Sequence, residues 1–125
     1  MNMAKRYVVP LEDNKGLDSP LCPHFGQAKY FAIIRKEDNN VTVEQIVENP
    51  RSLGLRPGEY ISQLDVDAVI VPGGIGMKAL QLLTNRGIEL YQTQCTTLEC
   101  VMQEIKEEKL QRFDRRPCPG KHEQY

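Results

Sequence analysis

The sequence predicts a single α/β domain built on a mixed five-stranded sheet. Strand patterns without helices fill the first half of the chain, strand and helix patterns alternate in the second half, and glycines follow its most apolar run. This order places the strands in the sequence 3-2-1-4-5 across the sheet. The first, fourth and fifth strands are then parallel, and the second is antiparallel to the first. Right-handed crossovers place the helices on the faces of the sheet.

Each predicted strand is a short run of β-forming residues bounded by turn residues. The second and third strands are expected to form a hairpin, because Asn39-Asn40 can adopt the positive φ of a tight turn. The fourth is a compact apolar run of the kind found in central parallel strands. The predicted strands are 4–11, 30–35, 41–47, 67–71 and 88–91.

A short helix is predicted at 60–64. Longer helices are predicted at 75–85 and after Thr96-Thr97, where apolar residues recur at helical spacing. Thr96 and Glu99 have the spacing of a capping box at the start of the last helix. From Gln111 onward the chain is polar and has no periodicity. Residues 1–110 are therefore predicted to form the domain, and residues 111–125 a flexible tail that contributes little to stability.

Composition and charge argue against several classes of protein. Hydrophobic residues make up 40% of the chain, charged residues 26%, and the net charge is −1, which gives no support to a nucleic-acid partner. No apolar run approaches the roughly 20 residues that span a membrane, and the N-terminus lacks the apolar core of a signal peptide. We therefore expect a cytoplasmic protein whose four cysteines stay reduced unless a metal or a redox cycle uses them.

Three blocks of sequence, in order, resemble the dinitrogenase iron–molybdenum cofactor biosynthesis family. The first block comprises 11–19 and 24–32, and the second is Gly73-Gly74-Ile75-Gly76 with the helix after it. The third comprises Gly87-Ile88 and Thr96-Thr97-Leu98-Glu99. This resemblance covers nearly the whole globular part of the chain. It implies a ribonuclease H-like fold and the binding or transfer of an iron–sulfur or iron–molybdenum cofactor during nitrogenase maturation. It also implies a cofactor-donor or cofactor-acceptor protein as partner.

Cys22 and His24 are the first candidate metal ligands, because thiolate and imidazole bind iron, zinc and iron–sulfur clusters. Their loop leaves the first strand at its carboxyl end, the edge where open α/β sheets bind ligands. The alternative is structural: His24 bonds to the loop backbone and Cys22 is an incidental small side chain.

Cys95 and Cys100 flank the start of the last helix. If Thr96 is the N-cap, the two cysteines occupy the positions of a hydrophobic staple. Alternatively, the helix dipole lowers the pKa of Cys95 and makes it a metal ligand on the same edge as Cys22 and His24. In the tail, Cys118 and His122 form a C-x3-H pair, which supplies only part of a tetrahedral site.

Gly73, Gly74 and Gly76 form the turn between the fourth strand and its helix, where glycines let the backbone approach an anionic cluster or a phosphate. Tight packing of strand against helix explains them equally well.

The chain lacks the converging strand carboxylates of two-metal nucleases. The leading hypothesis is therefore a non-enzymatic carrier of an iron–sulfur or iron–molybdenum-type cluster, or of a single iron or zinc ion. The alternatives are a protein-interaction module without metal and a small anion-binding hydrolase.

Overall fold

The structure, a computed structural model, describes residues 4–113. One sheet runs through the domain, with its strands in the order β3-β2-β1-β4-β5-β6. The strands are β1 Lys5–Leu11, β2 Tyr30–Glu37, β3 Asn40–Glu48, β4 Ala68–Val71, β5 Glu89–Gln92 and β6 Gln111–Arg112. The helices are α1 Pro57–Ser62, α2 Met77–Asn85 and α3 Leu98–Glu107, with 3₁₀ turns at Phe25–Gln27 and Pro50–Leu53. The predicted mixed α/β fold is confirmed.

The central strand β1 joins the two halves of the sheet. It pairs antiparallel with β2 and parallel with β4, and β4 pairs parallel with β5. In the β2–β3 hairpin the left-handed residue is Asp38, with φ 57°, so the turn begins one residue before the predicted Asn39-Asn40. An aspartate tolerates this conformation because its short side chain can bond locally.

Two apolar cores lie on opposite faces of the sheet, because successive strand side chains point in opposite directions. Val8 packs with Phe25 and Leu83 on the face that α1 and α2 cover. Val9 packs with Leu98 and Ile105 on the face that α3 covers. The helical stripe predicted for the last helix is therefore confirmed as its buried face.

The prediction of five strands is wrong by one strand. Gln111 and Arg112 form β6, which pairs antiparallel with β5, and the backbone N–H of Phe113 donates to Leu90 O at 3.0 Å. Both β6 residues are exposed, so backbone hydrogen bonds hold this strand without an apolar pattern. The remainder of the predicted tail, with Cys118 and His122, lies outside the described residues.

Two helices start at positions other than those predicted. Pro57 begins α1, at the first helical position that proline favours. α2 begins at Met77, and its N-cap Gly76 forms no side-chain capping hydrogen bond. None of the helices within residues 4–113 has both the length and the apolar character needed to cross a membrane.

Candidate functional site

The parallel strands β1, β4 and β5 end on one edge of the sheet, which we call the carboxyl edge. A cavity of about 360 Å³ opens there between the ends of β4 and β5. Amide, hydroxyl and charged side chains provide much of its wall, so it suits a polar ligand. Its lining residues are Val71, Pro72, Gly73, Gln92, Thr93, Gln94, Glu104, Lys109 and Gln111.

The loop 12–24 crosses the carboxyl edge and is ordered by backbone hydrogen bonds. Leu21 N donates to Thr96 O at 3.0 Å, and Gly74 N donates to Pro23 O at 2.8 Å. The loop thus links the start of α3 to the glycine turn. Ser19, which is fully buried, donates its hydroxyl to Gly16 O and fixes the bend of the loop.

The glycine turn is shaped by contact with this loop. A Cβ atom on Gly73 would lie 2.6 Å from Pro23 O, so only glycine fits there without a shift of backbone. The N–H and C=O groups of Gly74 both bond to the loop, through Pro23 O and Phe25 N. Gly73 lines the carboxyl-edge cavity, whereas Gly76 lines a groove between α1 and α2. Loop packing accounts for Gly73 and Gly74, and the three glycines do not surround one ligand site.

Cys22 and His24 differ in their access to solvent. Cys22 is 3% exposed, and its thiol donates to His24 O at 3.2 Å. Burial, reinforced by the nearby Glu12 carboxylate, raises the pKa of Cys22 to about 11. This thiol therefore stays protonated at neutral pH. His24 is exposed, so of this pair the imidazole is the accessible group.

Cys95 and Cys100 form a disulfide, with their Cα atoms 5.6 Å apart. This pair is therefore not reduced, whereas the sequence led us to expect reduced cysteines where neither a metal nor a redox cycle uses them. The N-cap of α3 is Thr97 and not Thr96, because Thr97 Oγ1 accepts a hydrogen bond from Cys100 N at 3.3 Å. Cys100 is consequently the third residue of the helix, and neither the capping box nor the hydrophobic staple forms. Cys95 is half-buried, and Cys100 is exposed.

A chain of hydrogen bonds joins the disulfide to the cavity wall. Cys95 N donates to Thr93 Oγ1 at 3.1 Å, and Thr93 Oγ1 donates to Glu104 Oε1 at 2.6 Å. Cys22, His24 and Cys95 thus lie on segments that meet at the carboxyl edge. Within residues 4–113, however, no three His, Cys, Asp or Glu side chains form a group that could hold a metal ion.

Sequence reasoning missed most of the cavity wall. Thr93 and Gln94 immediately follow a strand that was predicted to end on this edge, and that position could have identified them. Glu104 and Lys109 carried no such signal, because in the sequence they belong to the polar side of a helix and the turn after it. Their position at the cavity depends on how α3 folds back along the sheet.

A family model described as dinitrogenase iron-molybdenum cofactor matches residues 5–108. The chain belongs to this family. The resemblance found in the sequence is therefore confirmed over nearly the whole domain.

One curated protein and two solved structures illustrate what the chain is similar to. An uncharacterized protein of Methanocaldococcus jannaschii is 27% identical over 114 residues, which cover 87% of this chain and 92% of that protein. The crystal structure of PH0822 matches with a TM-score of 0.72 and 26% identity, covering 89% of this chain and 99% of that one. The apo form of the orange protein from Desulfovibrio gigas has the same fold. Its TM-score is 0.72 at 21% identity, over 88% of this chain and 93% of that one.

Proposed function

We propose that the chain binds and carries an iron–sulfur or iron–molybdenum-type cluster as cargo and does not catalyse a reaction. The observation that carries this proposal is the open polar cavity at the carboxyl edge of a domain whose family is named for such a cofactor. Open α/β sheets bind their ligands at this edge.

The donors of the cavity wall fit an anionic cluster. Gln94 carries amide N–H groups, Gln92 donates its amide to Gln111 Oε1 at 3.2 Å, and the Lys109 ammonium lies 3.1 Å from a Glu107 carboxylate oxygen. The Glu104 carboxylate of the same wall accepts from Thr93 Oγ1. Hydrogen bonds and positive charge at the bridging or terminal sulfides stabilise such clusters and set their potentials. These side chains would contact the cargo without replacing its metal ligands.

His24 is our proposed protein ligand to the metal. It is exposed and lies beside Pro23, which touches Gly73 in the cavity wall. Cys22 requires deprotonation to bind metal, and its pKa of about 11 opposes this at neutral pH. Because no three-ligand group occurs within residues 4–113, the cargo keeps most of its own ligands. Cys118 and His122 are proposed as further ligands.

Anaerobic reconstitution with iron and sulfide tests this proposal. The wild type is expected to take up stoichiometric metal, whereas His24→Ala and Lys109→Ala each reduce retention after gel filtration by about tenfold. Gln27→Ala, at an exposed position of the 3₁₀ turn that follows this loop, is the matched control and retains metal like the wild type. A wild type that takes up no metal contradicts the carrier. Equal uptake by all variants contradicts the assigned residues.

A second candidate function is the docking of a protein partner. A groove of about 530 Å³ lies between the Phe25–Gln27 turn, α1 and α2. Its helices approach closely, since a Cβ on Gly58 would lie 3.1 Å from Ala79 Cβ. Arg56 and Lys78 line it beside one acidic residue, Glu59. Such a groove fits an apolar side chain flanked by acidic residues.

Exposed apolar side chains on neighbouring segments favour the same surface. Leu53 is 78% exposed, Leu55 49% and Met77 48%.

Titration with an acidic amphipathic helical peptide, followed by amide chemical shifts, tests this candidate. We expect the shifts to cluster at the groove and Lys78→Glu to weaken binding by about tenfold without changing metal uptake. Shifts spread over the whole domain would contradict docking here.

A further inference from the structure

The Cys95–Cys100 disulfide joins the residue after Gln94, which lines the carboxyl-edge cavity, to the first turn of α3. Cys95 precedes the N-cap Thr97 by two residues, and Cys100 is the third residue of the helix. Cys100 is exposed, so a thiolate in solution can approach it, whereas Cys95 packs against the apolar core under α3. The two sulfurs thus differ in their access to solvent. Thiol–disulfide exchange is therefore expected to begin with attack on the Cys100 sulfur.

Hydrogen bonds hold both cysteines independently of their sulfur–sulfur bond. Cys100 N donates to Thr97 Oγ1, and Cys95 N donates to Thr93 Oγ1. Val101 N also donates to Thr97 O at 3.3 Å, which begins the helix. Cleavage of the disulfide therefore leaves the helix start in place. The loop that the disulfide closes is short, so its entropic contribution to stability is at the low end for disulfides.

The segment that carries the disulfide also supports the rest of the carboxyl edge. Leu21 N donates to Thr96 O, and Leu98 N donates to Ser19 O at 2.9 Å, so the cysteine segment holds the loop of Cys22 and His24. On its other side, Thr93 connects it to Glu104 of the cavity. Hydrogen bonds therefore connect the cysteine segment both to the loop of His24 and to the cavity wall.

We infer that Cys95 and Cys100 are a reversible dithiol–disulfide couple that controls binding of cargo at the carboxyl edge. This inference rests on the proposed carrier function. In the reduced state, Cys95 directly follows the cavity residue Gln94, and the Cα of Cys100 lies 5.6 Å from that of Cys95. Both become free thiols and soft ligands for a metal of the cargo. In the oxidised state both sulfurs are bonded to each other, and the site loses these ligands.

The substrate of the couple is a dithiol reductant. One reductant thiolate attacks the exposed Cys100 sulfur, a mixed disulfide forms, and Cys95 leaves as the thiolate and takes up a proton. The second thiol of the reductant, as the thiolate, then attacks the reductant sulfur that is bonded to Cys100. This step forms the reductant disulfide and releases Cys100 as a thiolate, which takes up the second proton. Two electrons and two protons pass to the protein. A thiolate at Cys100 is stabilised by the N-terminal turn of α3.

The couple itself is tested without metal. The full chain is equilibrated with mixtures of reduced and oxidised dithiothreitol, alkylated, and mapped by mass spectrometry. We expect Cys95 and Cys100 to be alkylated together as the mixture becomes reducing and to be protected again on reoxidation, with unchanged circular dichroism. Cys22, which is buried, serves as the internal control and stays unmodified in the folded protein. Reduction that occurs only together with unfolding would overturn the couple.

Control of binding is then tested with Zn²⁺ alone. Equilibrium dialysis compares reduced and oxidised protein after removal of the reductant. We expect the reduced protein to bind Zn²⁺ at least tenfold more tightly, and Cys100→Ser to bind it equally weakly under both conditions, while Cys22→Ala keeps the difference. Equal, measurable binding in both redox states would overturn the control and leave the carrier standing. No binding of Zn²⁺, or of iron and sulfide, in either state would overturn the carrier itself and the control that rests on it.

Discussion

The two edges of the sheet are organised in different ways. At the amino edge, where β1, β4 and β5 begin, charged side chains pair with one another. Lys5 Nζ lies 2.8 Å from a Glu89 carboxylate oxygen. Arg6 Nε lies 2.9 Å from a Glu44 carboxylate oxygen. At the carboxyl edge, backbone hydrogen bonds hold the long loop and the glycine turn together. The amino edge thus engages its charged side chains in its own structure. At the carboxyl edge, the side chains of His24 and Gln94 form no ion pair or hydrogen bond with other residues of 4–113.

Lys5 illustrates how fully the amino edge is paired. Burial alone would lower its pKa, but hydrogen bonds to the Glu89 carboxylate and the Tyr91 hydroxyl outweigh burial and raise that pKa. Its ammonium group also lies 5.4 Å from the Tyr7 ring centroid. A cavity of about 470 Å³ is lined by Lys5, Tyr7 and Tyr91, among others, but these groups already stabilise each other. A cavity alone does not identify a binding site.

The largest expected effect concerns the backbone contact at the carboxyl edge. Gly73→Ala places a Cβ against Pro23 O and forces the loop to shift, so we expect a loss of roughly 2–3 kcal/mol in the free energy of unfolding. Gly26→Ala is the matched control, because an added Cβ there meets nothing within 4 Å. Urea denaturation measures both variants. Equal stabilities would mean that the loop is not fixed by this contact.

The buried thiol at the same edge gives a stability that depends on alkaline pH. The pKa of Cys22 rises from 9.0 to about 11 on folding, so its contribution is present below pH 9 and is lost as pH rises through about 11. We expect the wild type to lose roughly 2 kcal/mol more than Cys22→Ala over this range. Denaturation curves of the two proteins at several alkaline pH values measure the difference. Parallel pH profiles would contradict a buried, protonated thiol.

The cap of α3 provides a smaller test of the carboxyl edge. Thr97→Ala removes the acceptor for Cys100 N and is expected to cost about 1 kcal/mol. Thr96→Ala, one residue earlier, is the control, because Thr96 contributes its carbonyl oxygen and not its side chain to the loop. Thermal denaturation of both variants measures the difference. A larger loss for Thr96→Ala would move the cap back to the position suggested by the sequence.

The smallest effect is expected at the amino edge. Lys5 and Tyr91 hold the pKa of the Glu89 carboxyl below its ordinary value, so its contribution is present above the unfolded pKa of about 4.3 and is lost as pH falls through the folded value. Because Glu89 is partly exposed, Glu89→Gln should cost under about 1 kcal/mol at pH 7. As the pH is lowered, the free energy of unfolding should fall less steeply for Glu89→Gln than for Glu48→Gln. Within residues 4–113, Glu48 makes no ion pair.

The sequence predicted the fold better than the site because the two depend on different information. Apolar runs and helical stripes are local patterns, so five strands and the course of α3 could be recognised. Adjacent threonines left the cap of α3 uncertain by one residue, and β6 had no apolar pattern to reveal it. The disulfide and the Thr93–Glu104 hydrogen bond depend on side-chain directions after folding, which spacing alone does not determine.

The short strand β6 has a consequence for the behaviour of the protein in concentrated solution. It covers the outer edge of β5, whereas the opposite edge strand β3 carries exposed charged residues and pairs with β2 through a bulge near Ile33. Unpaired strand edges promote aggregation, and charges and bulges discourage it. A chain ending at Leu110 would expose β5, with Leu90 and Tyr91, as a new edge. Such a chain should scatter light at protein concentrations where the full chain stays clear. We therefore expect β6 to matter more for resistance to self-association than for the stability of the core.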